Sequence, residues 1–169
     1  RLYEDKKKKE GALDFVDLLL KTVELLEGIP EVLEMYQERF NYIHVDEYQD
    51  TNKVQYLLTQ LLAKKYKNIC VVGDGDQNIY SWRGADIINI LNFENDYPDA
   101  KVVLLEENYR STKNIIAVAN SVIKKNSIRK DKTLFTKNKD GELVSLYEAY
   151  NDRYEAEFVA DKIVELLDK

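Results

Sequence analysis

Two adjacent carboxylates, Asp46 and Glu47, directly follow a short apolar run that contains Tyr, Ile and Val. An apolar strand that delivers two charged side chains is costly unless water or a ligand meets them. Carboxylate oxygens suit Mg²⁺, and in phosphoryl transfer one carboxylate can hold the metal while its neighbour orients the attacking water. Acidic residues also end strands that simply reach solvent, so the pair alone leaves both interpretations open.

A second apolar run is followed by GDGDQ (73–77). The two glycines let the backbone turn tightly or approach a ligand closely. Gln77 is a neutral donor and acceptor, and its amide could contact a terminal phosphate or the attacking water. An ordinary acidic turn, rich in Asp and Gly, has the same composition.

A third apolar run is followed by NYRST (108–112). Arg110 suits phosphate charge because its guanidinium offers paired donors. The neighbouring residues have simpler interpretations, since Ser111 or Thr112 could cap a following helix and Tyr109 could belong to a core.

Aromatic side chains and a cation lie close behind Gln77, in YSWRG (80–84), which holds the single tryptophan of the chain, Trp82. Nucleic-acid bases stack on such rings with about 1–3 kcal/mol each and little sequence preference. Burial in a core is the common alternative for aromatic residues. Because Gln77 is three residues from Tyr80 and five from Trp82, a phosphate contact and base-stacking rings would be mechanically tied, as coupling of two sites requires.

Alternating strands and helices are predicted to position these residues. Strands are predicted over 41–45, 68–72, 101–105 and 142–149. Helices are predicted over 13–26, 31–40, 51–65, 85–93, 112–125 and 152–167, the last opened by Asp152 with Glu155 as a capping pair. The alternation from residue 41 onward predicts an α/β fold with a parallel sheet covered by helices. Ligands bind such sheets outside the carboxyl ends of the strands, where the candidate residues lie.

Composition and charge set further limits. A chain of 169 residues is expected to hold one domain or pieces of two. The net charge of -6 creates no global attraction for nucleic acid. The charge is uneven, however, because residues 101–140 carry +6 and the rest of the chain −12. This basic region is either a phosphate-facing patch or a solvated surface, and Lys6–Lys9 are interpreted as an exposed helix face.

A cytoplasmic setting without a membrane is the simple expectation. The single cysteine, Cys70, has no partner in the chain for a disulfide. No apolar stretch approaches the roughly 20 residues that cross a bilayer, and no signal peptide is recognisable.

Four segments, taken in order, resemble the UvrD/PcrA/Rep family of superfamily 1 helicases. VDEYQDTN (45–52) resembles motif II, VGDGDQNIYSWRGAD (72–86) resembles motif III, and LEENYRST (105–112) resembles motif IV. ALDFVDLL (12–19) resembles the segment that re-enters the first motor domain upstream of motif II. Each motif alone is modest evidence, but the ordered set is highly specific.

The resemblance implies a role for each candidate residue. For the nucleotide, Asp46 is expected to bind Mg²⁺, Glu47 to activate water and Gln77 to sense the γ-phosphate. Tyr109 is expected to pack against adenine, and Arg110 to act as an arginine finger. For single-stranded DNA, Tyr80 and Trp82 are expected to stack on the bases, with support from Arg83. The cofactors implied are ATP and Mg²⁺. Catalysis is thus expected from Glu47, Gln77 and Arg110.

The resemblance also implies the architecture and the activity. RecA-like parallel sheets covered by helices are expected in parts of two motor domains. Residues 1–98 are expected to form the C-terminal part of the first motor domain, and residues 101–169 the start of the second. The chain is expected to be a fragment of an ATP-dependent DNA helicase that couples hydrolysis to translocation on single-stranded DNA and unwinding at duplex junctions, in DNA repair or replication. Its partner would be the missing remainder of the helicase chain.

Departures from the family pattern are few, apart from one absence. Tyr48 stands where phenylalanine is usual, Asn78 where serine is usual, and Val16 replaces a frequent acidic residue. No glycine is followed by lysine, so the phosphate-cradling G-x-x-x-x-G-K-[ST] loop is not within these residues. The 169 residues alone are therefore expected to bind ATP weakly and not to hydrolyse it at a useful rate.

Three other functions remain open at this point. The first is the motor part of a helicase–nuclease, and the second is a non-catalytic DNA-binding or adaptor module with a decayed motor core. The third is a metal-dependent nuclease built on Asp46, Glu47 and Asp50, which leaves Tyr80, Trp82 and Arg110 unexplained.

Overall fold

The structure is a computed structural model that describes residues 2–168. The chain forms two compact units. The first contains the chain up to Val103 together with Asn126–Asp131, and the second contains Leu104–Lys125 and the chain from Lys132 onward.

The first unit contains most of the regular structure. Its helices and strands, in chain order, are α1 Leu2–Glu10, α2 Phe15–Gly28, α3 Pro30–Arg39, β1 Ile43–Val45, α4 Lys53–Ala63, β2 Ile69–Val71, α5 Ile88–Leu91 and α6 Phe93–Asp96. Three single 3₁₀ turns lie at Tyr48–Asp50, Gly75–Gln77 and Ser81–Arg83. The second unit contains α7 Lys113–Ile123 and α8 Asp152–Leu167.

The sheet consists of β1 and β2, which pair in parallel as the sequence pattern predicts. Ile43 lies opposite Ile69 and Val45 opposite Val71. Beyond the strands, the Val72 amide donates to the Val45 carbonyl at 2.8 Å and the Tyr48 amide donates to the Val72 carbonyl at 2.9 Å. These bonds hold the carboxyl ends of the two strands side by side.

Local capping explains where the helices of the first unit begin. Asp14 and Asp17 form a reciprocal capping box at the start of α2, and Asn52 and Gln55 form another at the start of α4. Pro30 occupies the first turn of α3, where its missing amide is not needed. Helix α2 packs against both α3 and α4, and Val23, Leu26 and Ala63 are buried there.

Two predicted strands are not formed. Residues 101–105 and 142–149 adopt no strand, although Glu107 and Phe135 form a single parallel bridge just beyond the first of them. A strand exists only when another strand satisfies its amides and carbonyls, and no such neighbour lies alongside either segment within residues 2–168. Val103 and Leu105 are accordingly exposed.

Three smaller predictions also need correction. The helix predicted over 85–93 is replaced by the short helices α5 and α6. Helix α8 is capped by Asn151, whose side chain accepts from the Tyr154 amide, and not by an Asp152–Glu155 pair. Lys7 is mostly buried rather than exposed, because its ammonium group pairs with Asp14 and Asp17 at 3.1 and 2.7 Å.

Within residues 2–168, no helix is both long enough and apolar enough to cross a lipid bilayer.

Candidate functional site

Asp46 and Glu47 lie exposed at the carboxyl end of β1. Glu47 has φ 50° and ψ 42°, in the left-handed region that non-glycine residues rarely adopt. Such strain persists where the surroundings enforce it and is common at functional sites. The Asp46 carboxylate accepts the Glu47 amide at 2.8 Å. The backbone thus turns sharply after the strand and presents two neighbouring carboxylates to solvent.

Gln77 lies in the turn that follows β2. Asp74 organises this turn, because its carboxylate accepts from the Asp76 amide and from the Gln77 side chain, each at 2.9 Å. Gln77 is exposed. The polar segments after both strands therefore belong to one edge of the sheet in the first unit.

Gln49 joins these two segments, and sequence reasoning missed it. Its Nε2 donates to Glu47 Oε2 at 2.8 Å, and its Oε1 accepts from the Asp74 amide at 2.9 Å. Gln49 is 1% exposed. No signal for this role was available in the sequence, because the burial of Gln49 and its bond to Asp74, 25 residues away, depend on how the chain folds back.

Arg129 is the second residue that sequence reasoning missed, and it forms an ion pair with Asp76. The guanidinium contacts both carboxylate oxygens, at 3.1 and 2.9 Å, and both side chains are largely buried. Paired contacts of this kind fix geometry as well as charge. Asp76 therefore anchors the segment Asn126–Asp131 to the turn that carries Gln77.

The aromatic loop after Gln77 is open to solvent. Trp82 is 72% exposed, which contradicts burial in a core. The rings of Tyr80 and Trp82 are 6.3 Å apart and tilted by 55°. The Arg83 guanidinium lies 5.3 Å from the Tyr80 ring and 4.5 Å from the Trp82 ring, within the range of cation–π attraction. The loop thus presents aromatic surface next to a positive charge.

Tyr109 and Arg110 lie in the second unit. Asn108 accepts from the amides of Arg110 and Ser111 at 3.0 and 2.8 Å, so Asn108 orders this segment. Thr112 occupies the position before α7 but makes no side-chain cap. Tyr109 is 78% exposed within this unit, and its hydroxyl donates to Glu107 at 3.1 Å.

Ion pairs account for part of the basic region 101–140. These pairs are Lys113 with Asp140, Arg129 with Asp76, Lys130 with Glu94, and Lys137 with Glu107. The hydrogen bond from Lys137 also holds the pKa of Glu107 below its usual value. The Lys113, Lys130 and Lys137 side chains remain 48–79% exposed in these pairs, which favours the solvated-surface interpretation for this part of the charge.

The acidic residues after β1 differ in their suitability for a cation. Asp46 is exposed, whereas Asp50 Oδ1 is buried and has no hydrogen-bond partner within residues 2–168. No group of three or more His, Cys, Asp or Glu side chains in that part of the chain is arranged to hold a metal. One exposed carboxylate suits Mg²⁺, which typically takes one or two carboxylates and completes its shell with water and substrate phosphates.

Family comparisons agree with the resemblance seen in the motifs. Residues 1–98 match the UvrD/REP helicase N-terminal domain, and residues 103–169 match the UvrD-like helicase C-terminal domain. A protein of Staphylococcus epidermidis named ATP-dependent DNA helicase PcrA is 59% identical over 162 residues. The protein of the same name from Staphylococcus aureus is 60% identical over 162 residues.

These alignments cover 96% of this chain and 22% of each relative. The chain therefore spans about a fifth of the length of the curated relatives that it matches. The family models together account for nearly all of its residues, and on this evidence the chain belongs to the UvrD/REP helicase family.

Proposed function

We propose that this chain is part of the motor of an ATP-dependent DNA helicase, which couples ATP hydrolysis to movement along single-stranded DNA and to duplex unwinding. The observation that carries the proposal is the edge of the sheet in the first unit. There, Glu47 is connected through Gln49 and Asp74 to Gln77, and Trp82 is exposed five residues further on.

The proposed architecture is RecA-like. The parallel pair of β1 and β2 supports it, as does the packing of α2 against α3 and α4. Residues 1–98 are assigned to the end of a first motor domain and residues 101–169 to the start of a second. Both assignments rest on the resemblance of the motifs.

The nucleotide chemistry is assigned to the carboxylates after β1 and the glutamine after β2. Asp46 holds Mg²⁺, which neutralises phosphate charge when ATP is bound. Glu47 orients and deprotonates the attacking water, and its exposed carboxylate at a fixed backbone position suits that role. Gln77 contacts the γ-phosphate through its exposed amide.

Tyr109 and Arg110, in the second unit, are also assigned to the nucleotide, and this assignment rests on the resemblance of their motif. Tyr109 offers an exposed ring for adenine, and Arg110 offers a guanidinium for γ-phosphate charge. Their segment is ordered by Asn108, which fixes the backbone at both Arg110 and Ser111.

Single-stranded DNA is assigned to the aromatic loop. Tyr80 and Trp82 present exposed rings on which bases can stack, and Arg83 adds positive charge beside them. Stacking reads no base sequence, which suits a motor that moves along any strand. The same proposal includes binding to duplex junctions and a role in DNA repair or replication. It also includes a cytoplasmic location and assembly with the rest of a longer helicase chain.

The test of this function is Glu47→Gln in the intact helicase. We expect DNA-stimulated ATP hydrolysis to fall at least about 100-fold, because the amide cannot take the proton from water, while the affinity for ATP is retained. Glu34→Gln on α3 removes a carboxylate away from the strand ends and should leave the rate unchanged. Retained turnover in Glu47→Gln would remove Glu47 from its role.

Measurements on the unmodified intact protein distinguish the helicase motor from a non-catalytic DNA-binding module. If the intact chain binds single-stranded DNA but shows no DNA-stimulated hydrolysis, the motor proposal fails and the adaptor function replaces it.

A further inference from the structure

We infer that Gln49 is a positioning residue for ATP hydrolysis, which aligns the Glu47 carboxylate and ties it to the turn that carries Gln77. The inference deepens the proposed function and rests on it. Gln49 acts through its two neighbours and is not itself a contact to the nucleotide.

The carboxamide of Gln49 is engaged at both ends. Its Nε2 donates to Glu47 Oε2 at 2.8 Å, and its Oε1 accepts from the Asp74 amide at 2.9 Å. A third bond holds the backbone, because Asn78 Nδ2 donates to the Gln49 carbonyl at 2.6 Å. We call this set of contacts the Gln49 bridge.

Asp74 extends the Gln49 bridge to the phosphate contact. Its amide binds Gln49, and its carboxylate accepts from Gln77 Nε2 at 2.9 Å. A continuous series of hydrogen bonds therefore runs from Glu47 to Gln77 through Gln49 and Asp74. A shift of the turn after β2 would therefore move the Glu47 carboxylate through these hydrogen bonds.

Burial separates the role of Gln49 from that of Glu47. Gln49 is almost fully enclosed, whereas Glu47 and Gln77 are exposed. A buried amide is retained at little cost only when its polar atoms are paired, and the Gln49 bridge pairs both ends. Removing it takes away the part-buried acceptor that Gln49 offers to the Asp74 amide, which costs more than the loss of one solvated bond.

Gly73 leaves the space that the Gln49 bridge occupies. A Cβ atom at position 73 would lie 2.6 Å from Gln49 Oε1 and 3.1 Å from the Tyr48 amide nitrogen. The backbone after β2 can therefore approach Gln49 closely only without a side chain at this position. This close approach allows the Asp74 amide to reach Oε1.

The geometry at Glu47 specifies what the Gln49 bridge does. Gln49 engages only Oε2, and within residues 2–168 no donor contacts Oε1. One oxygen is thereby fixed while the other can face water. Glu47 also has a left-handed backbone, so its main chain and one of its carboxylate oxygens are both held in place.

The test uses two variants of the intact helicase. Gln49→Glu keeps an acceptor for the Asp74 amide but replaces the donor to Glu47 with a second carboxylate. Gln49→Met has a similar length and removes both contacts. We expect kcat for DNA-stimulated hydrolysis to fall about 10–100-fold in both, as small displacements of a catalytic group do, while the KM for ATP stays within about threefold.

A half-buried glutamine elsewhere in the first unit supplies the control. Gln60 accepts from the Tyr97 hydroxyl at 3.1 Å and lies on α4, so Gln60→Met removes a comparable contact. Its kcat should match that of the unmodified helicase even if its melting temperature falls. The affinity for single-stranded DNA is measured for all three variants and should be retained.

Each outcome decides the matter. A kcat within twofold of the unmodified rate in both Gln49 variants would overturn the inference while leaving the proposed function intact. Equal losses in kcat, ATP affinity and DNA affinity would make Gln49 purely structural and would also overturn it. An unmodified helicase that shows no DNA-stimulated hydrolysis removes the proposed function itself, and the inference with it.

Discussion

Tyr48 shows how one buried atom affects the first unit. The side chain is fully buried, and its ring meets Phe93 edge to face at 5.9 Å. Its hydroxyl makes no hydrogen bond of normal geometry within residues 2–168, although the Gln60 side chain lies close to it. An enclosed polar atom without a partner loses its hydration and receives nothing in exchange. The ring therefore stabilises this core while the hydroxyl opposes it.

We expect Tyr48→Phe to raise the free energy of unfolding of the 169-residue chain by about 1 kcal/mol, because it removes a buried hydroxyl that makes no hydrogen bond of normal geometry and keeps the ring. Urea denaturation measures the change. Tyr42→Phe is the matched control, since Tyr42 is exposed and should change stability by less than about 0.5 kcal/mol. A loss of stability in Tyr48→Phe would mean that a bound water satisfies the hydroxyl.

Sequence reasoning at the residue scale found the residues at strand ends and missed those that support them. Asp46, Glu47 and Gln77 stand out because charged or amide groups follow apolar runs. Gln49 gives no periodic signal, and the partner of Asp76, Arg129, is 53 residues away. Contacts between residues that are far apart in the sequence cannot be predicted from local spacing.

The start of α2 shows how an element depends on a charged network. Asp14 accepts the Asp17 amide at 2.9 Å, and Lys7 donates to both carboxylates. The backbone bond from Asp17, followed by the bonds from Lys7 and Tyr3, lowers the pKa of Asp14 to about 2. The same network holds the pKa of Asp17 below its usual value, with Lys7 as the main cause.

This network predicts acid sensitivity of the first unit. The folded pKa of Asp14 lies below its unfolded value, so its stabilising contribution is complete above about pH 5. The contribution is lost as the pH falls through about 4 towards 2. Asp14→Asn keeps a side-chain acceptor for the cap but removes the titrating charge.

Unfolding free energies measured from pH 6 to pH 2 test this prediction. The slope between about pH 4 and pH 2 should be shallower in Asp14→Asn than in the unmodified chain. Identical slopes in the two proteins would show that Asp14 is not coupled to folding.

Elements were predicted well where the signal is local. Helices α2, α3, α4 and α7 follow apolar periodicity within the segment, and α2 and α4 also begin at side-chain caps. The strands predicted over 101–105 and 142–149 failed for the opposite reason. An apolar or alternating pattern indicates a surface that can be buried, whereas strand formation also needs a neighbouring strand that the pattern does not identify.

In the molecule as a whole, the net charge and the apolar content of the sequence do not show which charges are paired or which apolar side chains are exposed. Several basic residues of the region 101–140 are paired with carboxylates. Large apolar side chains are exposed in both units, for example Phe15 and Leu146. The net charge therefore says little about DNA binding, for which the proposed site is a few aromatic residues in one loop.

The 169-residue chain alone is predicted to hydrolyse no ATP above background. Its residues include no phosphate-cradling G-x-x-x-x-G-K-[ST] loop, and the amides and lysine of that loop supply most phosphate binding. Phosphate release with and without single-stranded DNA measures this directly. DNA-stimulated release by these residues alone would show that another phosphate site exists within them.

The exposed aromatic loop is proposed to bind single-stranded DNA close to the residues proposed to hydrolyse ATP. The direct measurement is the concentration of single-stranded DNA that gives half-maximal stimulation of ATP hydrolysis by the intact helicase. Loss of one stacking ring worth about 1–3 kcal/mol should raise this concentration at least about fivefold in Trp82→Ala. Tyr42→Ala, which removes an exposed aromatic outside the loop, should leave it unchanged. An unchanged value in Trp82→Ala would show that the Trp82 ring does not bind single-stranded DNA.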